Sequence, residues 1–590
     1  MTGLEQRVSP KMRKAWILLA LALILTGCGA GATETEPPPP STKQPQPTRT
    51  PPPTATSVVT PTVESDVDGA RRGDPLAIEV GELFSTSGSC AICHTNLTDD
   101  TGADVSIDNY WRATMMANAA RDPYWQAAVR SEVMDLPGLA EAIEDKCSTC
   151  HIPMAHTTAA SIGEIGVMFG EDGFLNPEND LFSFAMDGVS CSVCHQIREE
   201  GLGTEATFSG GFNIDTGLRS PDRVIFGPFK TEDRLASFMQ SSSGFRPTQG
   251  LHLSRSALCA SCHTLYTSFV DVSGQIVGEF PEQVPFFEWY YSSYRSTQTC
   301  QDCHMPEADG GAKISSMSST LRSPFAVHSF VGGNAYMLEV LDEFGNELGV
   351  TASSGNFDAA IERTLNQLQN NSATVEFEDV RLSGTRIIAD IVVRNLAGHK
   401  FPTGFPSRRA WLHFTVHDSS GQMVFESGGF SEDGLIVGND NDADPALSEQ
   451  HYLAIVEPNQ VQIYETIMRD TEGEITTALM HAASYSKDNR LLPYGFEKKA
   501  PYEDIAVRGS AMEDDDFQGG GDSIQYAVDI GSAAGPLTVK VELLYQTISF
   551  RWADNLRGKD ADEIQRFLGY IDTVPNLPVV IASTSVEVGN

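Results

Sequence analysis

The sequence predicts a multidomain α+β protein, in which a mainly α and irregular segment is followed by an all-β, sandwich-like domain. Three observations predict it. Five copies of Cys-x-x-Cys-His fall between residues 90 and 304, among short helical and Gly/Pro/Ser-rich stretches. From about residue 372 onward the chain turns to short β-branched and aromatic runs separated by turn residues. A chain of 590 residues is also too long for a single core.

The N-terminal elements come first. Arg7, Lys11, Arg13 and Lys14 precede an apolar run, Ala15 to Leu25, that ends in Leu-Thr-Gly-Cys at Cys28. That run is too short to span a bilayer and has the flanks of a signal peptide, so residues 1–27 are expected to be a lipoprotein signal and Cys28 the lipidated residue. Two acyl chains suffice for stable anchoring. Residues 28–74 are rich in Pro and Thr and lack apolar periodicity, which predicts an extended, disordered tether. At about 3.1 Å per residue, some forty residues reach on the order of 100 Å. The expected location is extracytoplasmic, lipid-anchored to the bacterial cell membrane, either periplasmic or at the cell surface.

Residues 75–345 carry the motifs CAICH (Cys90, Cys93, His94), CSTCH (Cys147, Cys150, His151), CSVCH (Cys191, Cys194, His195), CASCH (Cys259, Cys262, His263) and CQDCH (Cys300, Cys303, His304). Each reads as a c-type haem attachment site. Two thiols three positions apart form thioether bonds to one haem, and the adjacent imidazole meets the iron from one face. Zinc knuckles or disulfides are the competing reading. The pairs use ten of the eleven cysteines and leave only Cys28, so no pair remains for a structural disulfide. Spacings of 57, 44, 68 and 41 residues are too irregular for a solenoid. The expectation is a pentahaem cytochrome c domain whose core is built on porphyrins. One helix is well signalled, by Asp122 before Pro123.

Residues 346–371 are expected to form a helical connector, with its helix near Asn356 to Asn370. Residues 372–590 contain seven or more strand-like runs, among them RIIADIVVRN and LTVKVELLYQ, then a short helix near Ala561 to Tyr570 and a last strand. The formal charge of −39, from 40 basic and 79 acidic residues, argues against nucleic acid and anionic membrane surfaces as partners. It suits basic redox partners or cation-bridged surfaces, or simply keeps an exported protein soluble.

A haem iron that only passes electrons needs a second axial group, whereas an open position invites substrate chemistry. Of thirteen histidines, five belong to motifs and only His156, His252 and His328 otherwise lie in the haem segment. All three are candidate distal ligands, with Met154 competing for the role of His156. The rest must come from methionine or from the strand domain. Met116 or Met115, in a stretch read as helical from Tyr110 to Ala117, and His399, in the Pro- and Gly-bounded loop GHKFPTG, are the candidates. His413 and His417 share a strand face with Trp411 and Thr415 and read as exposed or structural. Two acidic loops, Asp440 to Asp444 and Glu513 to Asp516 with Gly519 to Asp522, are possible Ca2+ sites without the full EF-hand pattern, and solvated turns are the competing reading.

With WRATMMANAARDPYWQA, DGVSCSVCHQI, CQDCHMP, HSFVGGN and GHKFPTGFPSRRAWLHF on the page, the chain resembles a family of exported bacterial multihaem c-type cytochromes. That family is related to the tetrahaem cytochromes of the ammonia-oxidation group, and here it would be fused to a β-sandwich. In relatives the position of Met116 is often a distal His, so the resemblance implies a ligand there. The leading reading of the motifs is an electron-transfer protein that exchanges electrons with a redox partner or an extracellular acceptor. The alternative is an oxidoreductase acting on a small nitrogen or sulfur compound at one open haem. The Cys-x-x-Cys-Lys motif of the family's ammonia-forming nitrite reductases is absent.

Overall fold

The computed structural model describes residues 72–73, 75–500 and 502–589. The signal segment, Cys28 and the tether up to residue 71 therefore lie outside the described residues, whereas Arg72, expected in the tether, is held by Asp342 (2.7 Å) and Gly73 N–H donates to Thr351 O (3.1 Å). Helices and several sheets are mixed, and the described residues belong to one compact unit. No helix among the described residues is long and apolar enough to cross a membrane.

The motif segment is made of short helices: α1 (Ser87–His94), α2 (Pro123–Asp135), α3 (Ala140–His151), α4 (Cys191–Cys194), α5 (Ser256–His263), α6 (Pro285–Tyr290) and α7 (Cys300–His304). Helix α2 starts as its sequence demands. The Asp122 carboxylate accepts the Tyr124 and Trp125 N–H groups, and Pro123 occupies the first turn, where no N–H is needed. The stretch expected to be helical from Tyr110 to Ala117 is helical only to Trp111 and then runs in turns to Arg121. Side chains there take over the backbone groups. Thr114 Oγ1 donates to Trp111 O (2.7 Å) and accepts from Ala117 N (3.1 Å), while Asn118 Nδ2 donates to Arg112 O and Thr114 O.

A connecting helix, α8 (Ser354–Asn371), opens with a capping box on Ser353 and Asn356. The strands are β1 (Ala373–Ser383), β2 (Arg386–Asn395), β3 (Arg409–His417), β4 (Met423–Ser427), β5 (Ala454–Ile455), β6 (Ile463–Tyr464), β7 (Gly521–Asp529), β8 (Leu537–Gln546) and β9 (Val579–Val588). One sheet has the order β4-β3-β8-β9, and β6 takes the other half of the β3 edge; a second has the order β5-β7-β2-β1. Alternation places Leu412, Phe414 and Val416 opposite Leu543, Val541 and Val539 in the first sheet. In the second, Ile387, Ala389 and Ile391 pair with Val528, Tyr526 and Ile524. All twelve belong to one apolar core, and Phe414 stacks on Tyr526 across it at 4.2 Å.

The run VQIYETIMRD, read as one strand, is divided: Ile463–Tyr464 joins β3, while Thr466–Arg469 pairs with Ser484–Asp488 in a separate small sheet. The β3 face carrying Trp411 and His413 is covered rather than open. Trp411 is buried with Ile436, Val461, Ile463 and Leu544, and His413 lies between Glu426 (2.9 Å) and Glu542 (3.3 Å).

The strand region packs directly on the motif segment. A last helix, α9 (Asp562–Thr573), lies against α2, with Arg130 to Glu563 at 2.9 Å. The buried Glu132 carboxylate accepts the N–H groups of Leu479 (2.6 Å) and Met480 (3.3 Å).

Candidate functional site

Each motif lies at the C-terminal end of a short helix, or just past it at His195. Positions i and i+3 share a helix face, so both thiols of a pair point the same way and the next residue places its imidazole beside them. All fifteen motif cysteines and histidines line one cavity of about 1730 Å³. That is larger than the roughly 300–1,000 Å³ of an ordinary small-molecule site. Neighbouring motifs touch through their sulfurs: Cys191 with Cys90, Cys262 with Cys150, and Cys259 with Cys300.

The histidine tautomers follow from the acceptors around them. Nδ1 faces a backbone carbonyl in His94 (Ile314, 2.6 Å), His151 (Ala119, 3.3 Å), His195 (Phe226, 2.6 Å), His304 (Val331, 2.5 Å), His328 (Ala326, 3.0 Å) and His399 (Lys400, 2.8 Å). A carbonyl only accepts, so Nδ1 carries the proton and Nε2 keeps its lone pair. This arrangement orients ligating imidazoles. Burial favours the neutral ring at His94, His195 and His399, and lowers His151 and His263 to about 4 and His328 to about 3, with neighbouring His195 adding to the shift at His328. Trp125 stacks on the His151 ring at 4.3 Å and 2°, which fixes its plane.

Two ring pairs decide what the cavity can hold. His195 and His328 have centroids 6.3 Å apart and planes within 17°; His304 and His399 are 6.2 Å apart and within 12°. Two metal–imidazole bonds of about 2 Å, plus the distance from each nitrogen to its ring centre, span about 6 Å. The residues thus fit a metal centre held from both faces, with a thiol pair beside each motif histidine.

Met115, Met116, His328 and His399 all line the cavity. His156 and His252 are not among its lining residues. His156 Nε2 is engaged by Asp145 Oδ1 (3.1 Å) and Thr149 Oγ1 (3.3 Å). His252 Nε2 donates to Ile197 O (2.8 Å), and its ring stands edge-on to Phe226. The buried Met154 sulfur accepts from Ser192 Oγ (3.3 Å). Of the six histidine and methionine candidates in the haem segment, the structure therefore gives His328 a motif partner, puts Met115 and Met116 on the cavity wall, and places His156, His252 and Met154 in hydrogen bonds away from it.

The acidic loops are used internally. Asp442 pairs with the buried Arg409 (2.8 Å) and accepts Ile436 N (2.8 Å). His451, Asp514 and Asp522 form a buried cluster. There the Asn489 and Gln462 amides both approach His451 Nδ1, at 3.0 and 2.8 Å. Their own oxygens are held by Glu465 N and Tyr452 N, so Nδ1 accepts and the Nε2 proton goes to Asp514 at 3.0 Å. A protonated Nε2 does not suit a cation, and neither loop is carried further as a Ca2+ site.

Sequence reading missed the polar lining. The cations Lys146, Arg363 and Arg408 face the cavity and supply countercharge for carboxylates. Glu132 and Glu282 line it too, and burial pushes each up to about 7. Arg408 was visible as part of a rare Arg-Arg pair in an acidic chain; the others carry no local signal.

No protein-family model and no curated protein matches the chain. Among solved structures it is similar to a penta-heme cytochrome c552 from Thermochromatium tepidum, at 15% identity and a TM-score of 0.46, over 85% of this chain and 98% of that one. So distant a likeness carries no argument about function.

Proposed function

We propose that this chain is an extracytoplasmic pentahaem c-type cytochrome that moves electrons through covalently bound haems to or from a redox partner. The observation that carries the reading is the pair of near-parallel imidazoles spaced for one metal, each pair containing a Cys-x-x-Cys-His histidine. When bound, haem supplies reversible one-electron exchange at iron. The chain does the rest. Its thiol pairs fix each group, its Nδ1–carbonyl bonds orient the ligands, and the sulfur contacts between motifs join the first motif to the third, and the second and fifth to the fourth. The net charge of −39 favours a basic partner. Anchoring through lipidated Cys28 and a 28–74 tether completes the proposal, with residues 372–590 as a sandwich-like cover that contributes His399.

A second reading rests on a specific observation. Among the described residues, His94, His151 and His263 have no imidazole at the 6 Å spacing. Met116 is proposed opposite one of them, and an open position at another would make the protein an oxidoreductase for a small nitrogen or sulfur compound. Low-temperature electron paramagnetic resonance of the oxidised protein separates the readings. Electron carriage predicts five low-spin haems. A stoichiometric high-spin signal that responds to nitrite or hydroxylamine favours the oxidoreductase. Loss of His328 (His328→Ala) converts one low-spin haem to high spin; an unchanged spectrum removes it from the ligand set.

A further inference from the structure

Four charged side chains from three stretches of chain meet beside His399: Glu288 on α6, Lys400 in the loop after β2, and Asp488 and Arg490 further along the strand region. Their side chains are 0%, 0%, 1% and 8% exposed. Arg490 grips Asp488 with two donors, Nε to Oδ1 at 2.9 Å and Nη2 to Oδ2 at 2.7 Å, and reaches Glu288 Oε1 at 2.8 Å. Lys400 Nζ takes the same Asp488 Oδ2 at 2.6 Å. Glu288 Oε2 closes the ring by accepting Lys400 N–H (3.2 Å) and Thr403 Oγ1 (2.6 Å).

Two cations and two anions balance, so the cluster needs no further ion. Buried ion pairs recover little net stability after desolvation, and their best-attested use is to fix one arrangement against others. Here the arrangement fixed is that of Lys400, pinned at its backbone nitrogen and at Nζ. Its carbonyl accepts the Nδ1 proton of His399 (2.8 Å) and so sets the plane of that ring. Asn395 Nδ2 holds the His399 carbonyl at 2.8 Å from the other side.

We propose that Glu288, Lys400, Asp488 and Arg490 are positioning residues for His399, so that the strand region dictates the ligation of the fifth motif. This rests on His399 lying opposite His304 at one haem. Glu288 belongs to the motif segment and Asp488 to the strand region, so the ring reports whether the two are correctly docked. If docking loosens, the His399 plane is lost before the haem itself, which stays on its thioethers.

The test uses the full haem-loaded chain and three variants, read by low-temperature electron paramagnetic resonance and by redox titration. His399→Ala sets the signature: about one-fifth of the low-spin signal is replaced by high spin. Glu288→Gln is expected to shift or convert that same signal and to move one midpoint potential, leaving the other four. Thr403→Val, which removes only the hydroxyl's bonds to Glu288 (2.6 Å) and Arg490 (3.5 Å), gives the smaller version and decides the matter where Glu288→Gln fails to fold; Thr403→Ser restores the parent spectrum. If His399→Ala changes one haem while Glu288→Gln and Thr403→Val leave every signal and potential alone, the positioning role is overturned and the ligand reading stands. A uniform change across all five haems also overturns it, because that is the mark of general destabilisation. An unaltered spectrum in His399→Ala overturns both.

Discussion

The motif segment and the strand region bury apolar surface in opposite ways. In the strand region one continuous core joins both sheets, from Val375 on β1 to Ile581 on β9. In the motif segment the buried side chains fall into several small clusters, around Trp125 and Ile143, around Phe84 and Val193, and around Leu97 and Phe325. Between them runs the cavity that all five motifs line. The difference teaches where each half finds its cohesion: side chain against side chain in one and, on the function proposed above, side chain against a large flat apolar group in the other.

The severest way to break that contrast is to prevent haem attachment by replacing the ten motif cysteines with alanine. Limited proteolysis of the full chain should then cut first within 75–345, while a fragment starting near residue 372 survives. Equal protection of both halves would show that the small clusters suffice alone. Next in size is Phe414→Ala, which opens a cavity where β3 faces Tyr526 and should cost about 3–5 kcal/mol in denaturant unfolding of the strand region. A loss below about 1 kcal/mol would mean that the two sheets are not mutually supporting.

Smaller again is Asp442→Asn, which takes the charge from the partner of buried Arg409. It should cost about 1.5–3 kcal/mol by the same measurement, and no change in Ca2+ response is expected.

The mildest effect is a pH slope. Asp522 is pushed up to about 8, first by burial and then by the neighbouring Asp514 and Asp516. A raised acid is protonated more readily in the folded chain. Its contribution is complete below the unfolded carboxylate range near pH 4 and is lost as pH rises through 8. The melting temperature of the strand region should fall over that window. In Asp522→Asn the slope over that window should flatten. An unchanged slope would place the titration elsewhere.

Much of this was legible in the sequence, because the signals were local. Asp122-Pro123 gave a helix start, the alternation in RIIADIVVRN and LTVKVELLYQ gave strands, and five identical spacings marked the cavity wall. Failures came where distant or side-chain chemistry decided. The helix after Trp111 is ended by Thr114 and Asn118, whose bonds to the backbone outcompete the helical pattern. Nearness in sequence suggested His156 and His252 as ligands; in the structure the Nε2 of the first bonds Asp145 and that of the second the Ile197 carbonyl. His399 opposes a motif histidine 95 positions away in the chain. Its stiff loop was visible in the sequence, but the Glu288 ring that holds the loop was not.

The placement of His399 also sets an order of manufacture. Every motif precedes it in the chain, and so, on the function proposed above, the wall that closes on the fifth haem is made after all five attachment sites and, in an exported chain, emerges after them. Attachment of each porphyrin needs open access to a thiol pair and its neighbouring imidazole. On that same reading the chain keeps its haem sites open until the strands arrive to close them, and a haem missed before that moment is shut out.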